Sequence, residues 1–325
     1  MKRKVIQIGD STQLISLPRK WAQGLHIKKG DELDLEPKGN TLIVTTKKES
    51  VYQTVDVDIS NLDKSSIVTL LRSLYIKGVD EIRLHFSQPF CEYYTTQKSV
   101  KIMTVIRETL DRLVGIVIID QKDALCVIKG ISESSTREFE VILRRIFLLL
   151  IDMVKDLGRT IRQKDPLILD AVYEKHDTIT RFVAYCLRIL NQLGYYKPEQ
   201  VPFLFSLLSD IDTLVDLLRH SAQELGPKLI VHKSTEKWLS VFTDVISGYH
   251  NFFYRYTTQY CTEMHKARSE LRVFMMNDNP QLSNYDLRFL GHLQISLELL
   301  RSMTESRIAL QSFDETINGS LQKHP

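Results

Sequence analysis

The first 48 residues constrain this chain more than any other stretch, because they read as short strands and turns yet are too few to enclose a core. Val5, Ile6 and Ile8 predict a first strand, Gly9-Asp10-Ser11-Thr12 its turn, and Leu14 to Leu17 a returning strand. Pro18 suits the first position of a short helix, where a missing N–H costs nothing, and Gly24 suits its end. Lys29-Gly30-Asp31 and Pro37-Lys38-Gly39-Asn40 read as turns flanking two further strands, Leu33 to Leu35 and Leu42 to Thr45. Domains below about 40 to 50 residues are marginal without staples or partners, so a segment of this kind calls for a second copy of itself.

Charge is concentrated in the same segment. Residues 1–50 hold ten Lys/Arg against six Asp/Glu, a net +4, whereas the whole chain is only +3. Clustered Lys and Arg bind phosphates, and dimerisation doubles such a patch. The candidate nucleic-acid contacts are Lys2, Arg3, Lys4, Ser11, Thr12, Gln13, Arg19 and Lys20, with Ser11, Thr12 and Gln13 as neutral donors presented by the turn. The order of strand, Gly-x-Ser-Thr turn, strand, Leu-Pro helix, Gly-Leu, Lys-Gly-Asp and strand pair resembles the AbrB/MazE/SpoVT family of swapped-hairpin DNA-binding domains over residues 1 to 47. That resemblance implies two chains interleaved into one barrel, and DNA as the partner.

At 325 residues the chain is long enough for two or three domains. No stretch approaches the roughly 18 to 20 uninterrupted apolar residues of a membrane span, the nearest being Ile146 to Ile151. The basic start Met-Lys-Arg-Lys lacks the apolar run of a secretion signal, so the expected location is the cytoplasm. Cys91, Cys126, Cys186 and Cys261 have no Cys-x-x-Cys spacing and read as reduced thiols in or near cores.

Residues 51–134 predict a small α/β layer that connects the other two parts. Val55, Val57 and Ile59 alternate as a strand, Leu62 to Ile76 has helical spacing closed by Gly78, and Ile82, Leu84 and Phe86 alternate again. A helix over Val100 to Leu113 and a strand pair, Ile116 to Ile119 and Leu125 to Ile131, complete it. Arg83, His85, Phe90, Tyr93 and Tyr94 read as surface and rim packing. No Gly-rich phosphate loop or nucleotide fingerprint is present.

Residues 135–325 predict long helices joined by short loops, hence antiparallel bundles in two blocks, about 135–227 and 228–318. Ser135-Thr136-Arg137-Glu138 reads as a capping box and Gly158 as the end of its helix. Asp165-Pro166 opens a second helix running to Gly194, a third spans about Glu199 to Leu225, a fourth pattern runs from Ser234 to about Met275 with a break at Gly248, and a last one occupies about Ser283 to Ser312. The aromatic crowd Tyr249, Phe252, Phe253, Tyr254, Tyr256 and Tyr260 reads as bundle core.

Asp165, Val172, Glu174, Asp177 and Arg181, with Ile211-Asp212-Thr213-Leu214-Val215-Asp216 and the weaker Leu297-Glu298-Leu299-Leu300-Arg301-Ser302, resemble the acidic helix patterns of the PhoU phosphate-uptake regulators. The pairing of such a body with an AbrB-like head resembles archaeal regulators of that family. It implies phosphate homeostasis as the process, a phosphate transporter ATPase or sensor kinase as a further partner, and a divalent or iron-type metal on the acidic face. Carboxylates at i and i+4 share one helix face, so Glu174, Asp177, Asp212 and Asp216 are the candidate oxygen ligands, set against the reading that they solvate an exposed surface.

The expected protein is therefore multidomain: an all-β head over 1–48, an α/β layer over 51–134 and tandem helical bundles over 135–325. Its expected function is homodimeric, DNA-binding control of transcription in phosphate uptake. The alternative is an interaction protein that docks on a transporter ATPase or sensor kinase without DNA. No Gly-x-Ser-x-Gly elbow, His-Glu-x-x-His, Walker loop or activated Cys/His arrangement points to an enzyme.

Overall fold

A computed structural model describes residues 3–8, 12–38, 41–46, 52–131, 136–193, 195, 197–225, 229–277 and 279–311. The chain divides into two compact units, Met1–Tyr52 and Gln53–Pro325.

The first unit is made of short strands and one turn-and-a-half of helix. β1 (Val5–Ile8) and β2 (Thr12–Ile15) pair antiparallel with Val5 opposite Ile15 and Ile6 opposite Leu14. Pro18 is the cap of α1 (Arg19–Gly24) and not its first residue, a one-position difference from the expected start. Gly30 sits at φ +96° in the turn after α1, and the Asp31 carboxylate accepts the Lys28 N–H at 2.7 Å, which is why the turn is written Lys-Gly-Asp. β3 (Leu33–Lys38) and β4 (Thr41–Thr46) pair with Pro37 opposite Leu42, so Pro37 and Lys38 prolong the strand where a turn was expected.

The second unit joins a sheet to a mostly helical body through one continuous core. β5 (Thr54–Asp58), α2 (Lys64–Lys77) and β6 (Glu81–His85) form a βαβ unit with β5 and β6 parallel. The Asp63 side chain accepts the Ser65 and Ser66 N–H groups to start α2, and Gly78 ends it at φ +94°. A short hairpin of β7 (Phe90–Tyr93) and β8 (Lys98–Lys101) follows, then α3 (Ile102–Leu110), β9 (Ile116–Lys122) and β10 (Leu125–Gly130). Sheet order is β5-β6-β10-β9. Val100, expected in the helix, instead pairs with Cys91 in the hairpin, whose connection carries no glycine and places Gln97 at φ +53°.

The rest is helical: α4 (Thr136–Gln163), α5 (Leu167–Leu193), α6 (Val201–Glu224) preceded by a 3-10 turn (Pro198–Gln200), α7 (Lys233–Tyr254), α8 (Gln259–Met276) and α9 (Asn284–Ala309). Consecutive helices pack within the sets α4–α6 and α7–α9, and α6 against α9 and α4 against α7 join the two sets. Ser135 of the expected capping box lies outside the described residues. Two glycines read as breaks lie inside helices. α4 runs through Gly158 to Gln163, and the break between α7 and α8 falls at 255–258 while Gly248 stays helical. A Cβ on Gly248 would stand 3.2 Å from the Tyr260 ring, so this glycine permits close packing of α7 on α8. Tyr249, Phe252 and Tyr260 are buried together, and the Tyr249 hydroxyl donates to the Met303 carbonyl at 2.8 Å.

The layer and the helices are stitched at the end of α2. The carbonyls at the end of α2 and just past it receive donors from α5: Arg188 donates to Tyr75 (2.8 Å), which also accepts the Gly78 N–H, and to Val79 (3.0 Å), Asn191 to Ile76 (2.7 Å) and Gln192 to Gly78 (2.9 Å). A Cβ on Gly78 would collide with Gln192 at 2.6 Å, so this position is glycine for packing as well as for its backbone angle. Cys91, Cys126 and Cys186 are buried free thiols and Cys261 is half-buried. Among the described residues no helix is long and apolar enough to cross a membrane.

Candidate functional site

Within one chain, none of the head residues whose burial is described is buried. Val5 (61% exposed) and Ile15 (53%) form one cross-strand pair, and Ile6 (57%) and Leu14 (45%) form the next. Successive pairs point to opposite faces of a hairpin, so both faces carry uncovered apolar pairs. A hairpin resting on one core would show apolar residues on one face only; two apolar faces match a strand pair covered from both sides. Leu35 and Leu42 are exposed in the same way on β3 and β4.

Arg3 and Lys4 precede β1 as exposed side chains, Gln13 is exposed on β2, and Arg19 and Lys20 are exposed in the first turn of α1, which carries no acid. The backbone of Thr12 begins β2 opposite Ile8. Lys2 and Ser11 lie outside the described residues. The described cations of this set thus stand at the chain entry to the hairpin and at the start of the helix that follows it.

The second candidate, the acidic face of the body, is occupied by the chain's own cations. Arg72 of α2 donates to Asp212 of α6 at 2.7 Å. His176 of α5 bridges Asp177 (Nδ1, 3.0 Å) and Asp216 (Nε2, 2.9 Å), Arg219 stands 3.7 Å from Asp216 and Arg112 3.9 Å from Asp177. Asp212 and Asp216 keep their i, i+4 spacing but face different partners, and Glu174 points outward, exposed. Burial pushes the Asp212 carboxyl up against the pull of Arg72, and its Oδ1 has no hydrogen-bond partner. The hydrogen bond from His176 holds Asp216 below the ordinary carboxylate range. Among the described residues no group of three His, Cys, Asp or Glu side chains is placed to hold a metal ion. As arranged, the cluster is an ion-pair network that ties the α/β layer to α5 and α6. Arg72 and Arg112 were invisible to a search for acids, because they come from elements more than 60 residues away from their partners.

The chain thus combines a small amino-terminal unit of β-hairpins and one short helix with a larger, mostly helical unit. Residues 6–51 match the family model described as antidote-toxin recognition MazE, bacterial antitoxin, which places a MazE/AbrB-like domain at the amino terminus. The match ends where the first compact unit ends and does not reach the body. No curated protein and no solved structure matches the chain. The PhoU resemblance of the body therefore rests on its sequence echoes alone.

Proposed function

We propose that the protein is a homodimeric DNA-binding regulator in which two heads interleave, cover each other's apolar hairpin faces and align their basic residues along a duplex. The observation that carries this reading is the head itself: exposed apolar pairs, Val5 with Ile15 and Ile6 with Leu14, occupy both hairpin faces, and a MazE-like family model matches that segment. The body would transmit a signal by changing the geometry of the paired heads, since a ligand shifts a two-state equilibrium only through differential affinity for the two states. In the finer form of the proposal the signal is phosphate status in the cytoplasm, supported by the PhoU-like acidic echoes around Asp177, Asp212 and Asp216. The protein acts by binding and is not an enzyme.

The test is DNA binding as a function of salt. Affinity falls steeply with salt in wild type, and Arg19→Ala/Lys20→Ala, which removes four cations from a dimer, lowers the log–log slope by about 3 to 4. No binding to any duplex at low salt overturns the reading. Genome-wide binding sites mapped at high and low phosphate test the finer form.

A second reading is favoured by the description of the matching family as antidote-toxin recognition. In it the heads serve for dimerisation or antitoxin-like contacts, and the body docks on a protein partner such as a transporter ATPase or sensor kinase. Recovery of such a partner from nuclease-treated extract, with no duplex retained, selects this reading over the first.

A further inference from the structure

We propose that the cleft between α4 and α7 is a binding site for an organic anion with an apolar body, such as a phosphate monoester or a carboxylate on a hydrocarbon or ring. The cleft measures about 490 Å³ and lies between Lys155 to Arg162 of α4 and Lys233 to Asp244 of α7. Small-molecule sites span roughly 300–1,000 Å³, so the space suits a compact metabolite.

Its chemistry is two-sided. Ile161 and Leu239 are buried and give an apolar floor, with Gly158 between the charged residues of α4. Lys155, Arg162, Lys233 and Lys237 supply four cations against two acids, Glu236 and Asp244. Among the described residues none of these six charged side chains forms an ion pair or a hydrogen bond. Other cations of the body are paired with acids, among them Arg72–Asp212, Arg268–Glu298 and Arg288–Glu224. Lys237 has the Trp238 ring 5.9 Å away, and a surplus of positive charge without an acidic partner around an apolar floor selects for an anion, while the floor selects for one that carries apolar surface.

Gly158 gives the cleft a second mark. Glycine is a poorer helix former than alanine, and α4 passes through this position without any break. A Cβ there would stand 3.2 Å from Nη1 of Arg162. The missing side chain lets the Arg162 guanidinium lie against the helix over the cleft, where a ligand oxyanion can take two of its parallel N–H donors.

The test uses hexyl phosphate and the full-length protein in isothermal calorimetry. Saturable binding at one site per chain is expected, with inorganic phosphate and hexanol each at least tenfold weaker. Arg162→Gln/Lys237→Gln, both surface changes, is expected to weaken hexyl phosphate at least tenfold while leaving the thermal transition unchanged. Gly158→Ala displaces Arg162 and is expected to weaken binding in the same direction. Absence of saturable binding overturns the proposal, as does equal binding by the double variant or by either fragment. Co-sedimentation with phosphatidylglycerol vesicles in place of hexyl phosphate binding would assign the charge to a lipid surface and overturn it as well. No DNA enters the measurement, so its outcome is independent of the role of the head.

Discussion

Arg188 of α5 donates to the Tyr75 carbonyl of α2 at 2.8 Å while its guanidinium lies over the Tyr75 ring, 4.9 Å from the centroid. One buried side chain thus closes the end of a helix in the α/β layer and anchors it to the helical body. Burial draws the guanidinium below its ordinary basicity, yet an arginine stays charged at any physiological pH. Arg188→Met keeps the apolar stem and removes both donors: the Tyr75 carbonyl keeps the Gly78 N–H, and the Val79 carbonyl loses the Arg188 donor, a loss worth about 1–3 kcal/mol. The expected loss is about 2 kcal/mol in denaturant unfolding followed by helical circular dichroism. Arg188→Lys should fall between, because one ammonium cannot reproduce the planar fork.

Asp212 carries the opposite kind of cost. Its carboxylate is largely withdrawn from water and has Arg72 as its ion-pair partner. Removing one member of such a pair leaves an uncompensated charge, whereas removing both can be nearly neutral. Arg72→Leu should therefore destabilise by about 2–3 kcal/mol, and Arg72→Leu/Asp212→Leu by less than Arg72→Leu alone. A double-variant loss equal to the sum of the Arg72→Leu and Asp212→Leu losses would mean that the two side chains do not interact.

Asp286 makes a pH-dependent contribution. It is buried at the start of α9, accepting from the Ser283 hydroxyl (2.5 Å), the His232 N–H (2.8 Å) and the Thr235 hydroxyl (2.7 Å). Burial pushes the carboxyl up, and these donors outweigh it and bring it below the ordinary carboxylate value. A depressed folded value means stability present above the unfolded carboxylate range and lost as pH falls through the folded value. Asp286→Asn should cost about 1–2 kcal/mol at pH 7, with the difference from wild type closing as the pH is taken below the carboxylate range. Thermal melts of both proteins between pH 7 and strong acid check the sign.

The uncovered hairpin predicts assembly through the head. Ile6→Asp or Leu14→Asp places charge on a face that requires apolar cover, and is expected to convert the dimer to monomer in sedimentation velocity and to lower DNA affinity at least tenfold. Arg19→Ala should leave the sedimentation coefficient unchanged. A dimer that survives both apolar replacements would locate the contact elsewhere.

Period and punctuation alone determined much of this molecule. The apolar run Val5, Ile6 and Ile8, the Lys29-Gly30-Asp31 turn, the Gly78 end of α2 and the apolar stripes of the long helices are local properties, set by backbone geometry and by which side chains repeat on one face. The same local reading placed breaks at Gly158 and Gly248, where helices continue. A glycine is also used to admit a neighbour, and the neighbours, Arg162 and the Tyr260 ring, are supplied by the folded chain. Partnership was decided only in three dimensions. Asp177, Asp212 and Asp216 announce an acidic face in sequence, but whether that face meets a metal, water or the protein's own cations depends on where α2 and the residues after α3 come to rest. They bring Arg72 and Arg112 onto it from far along the chain, because Coulomb attraction acts through space and leaves no spacing rule in the sequence.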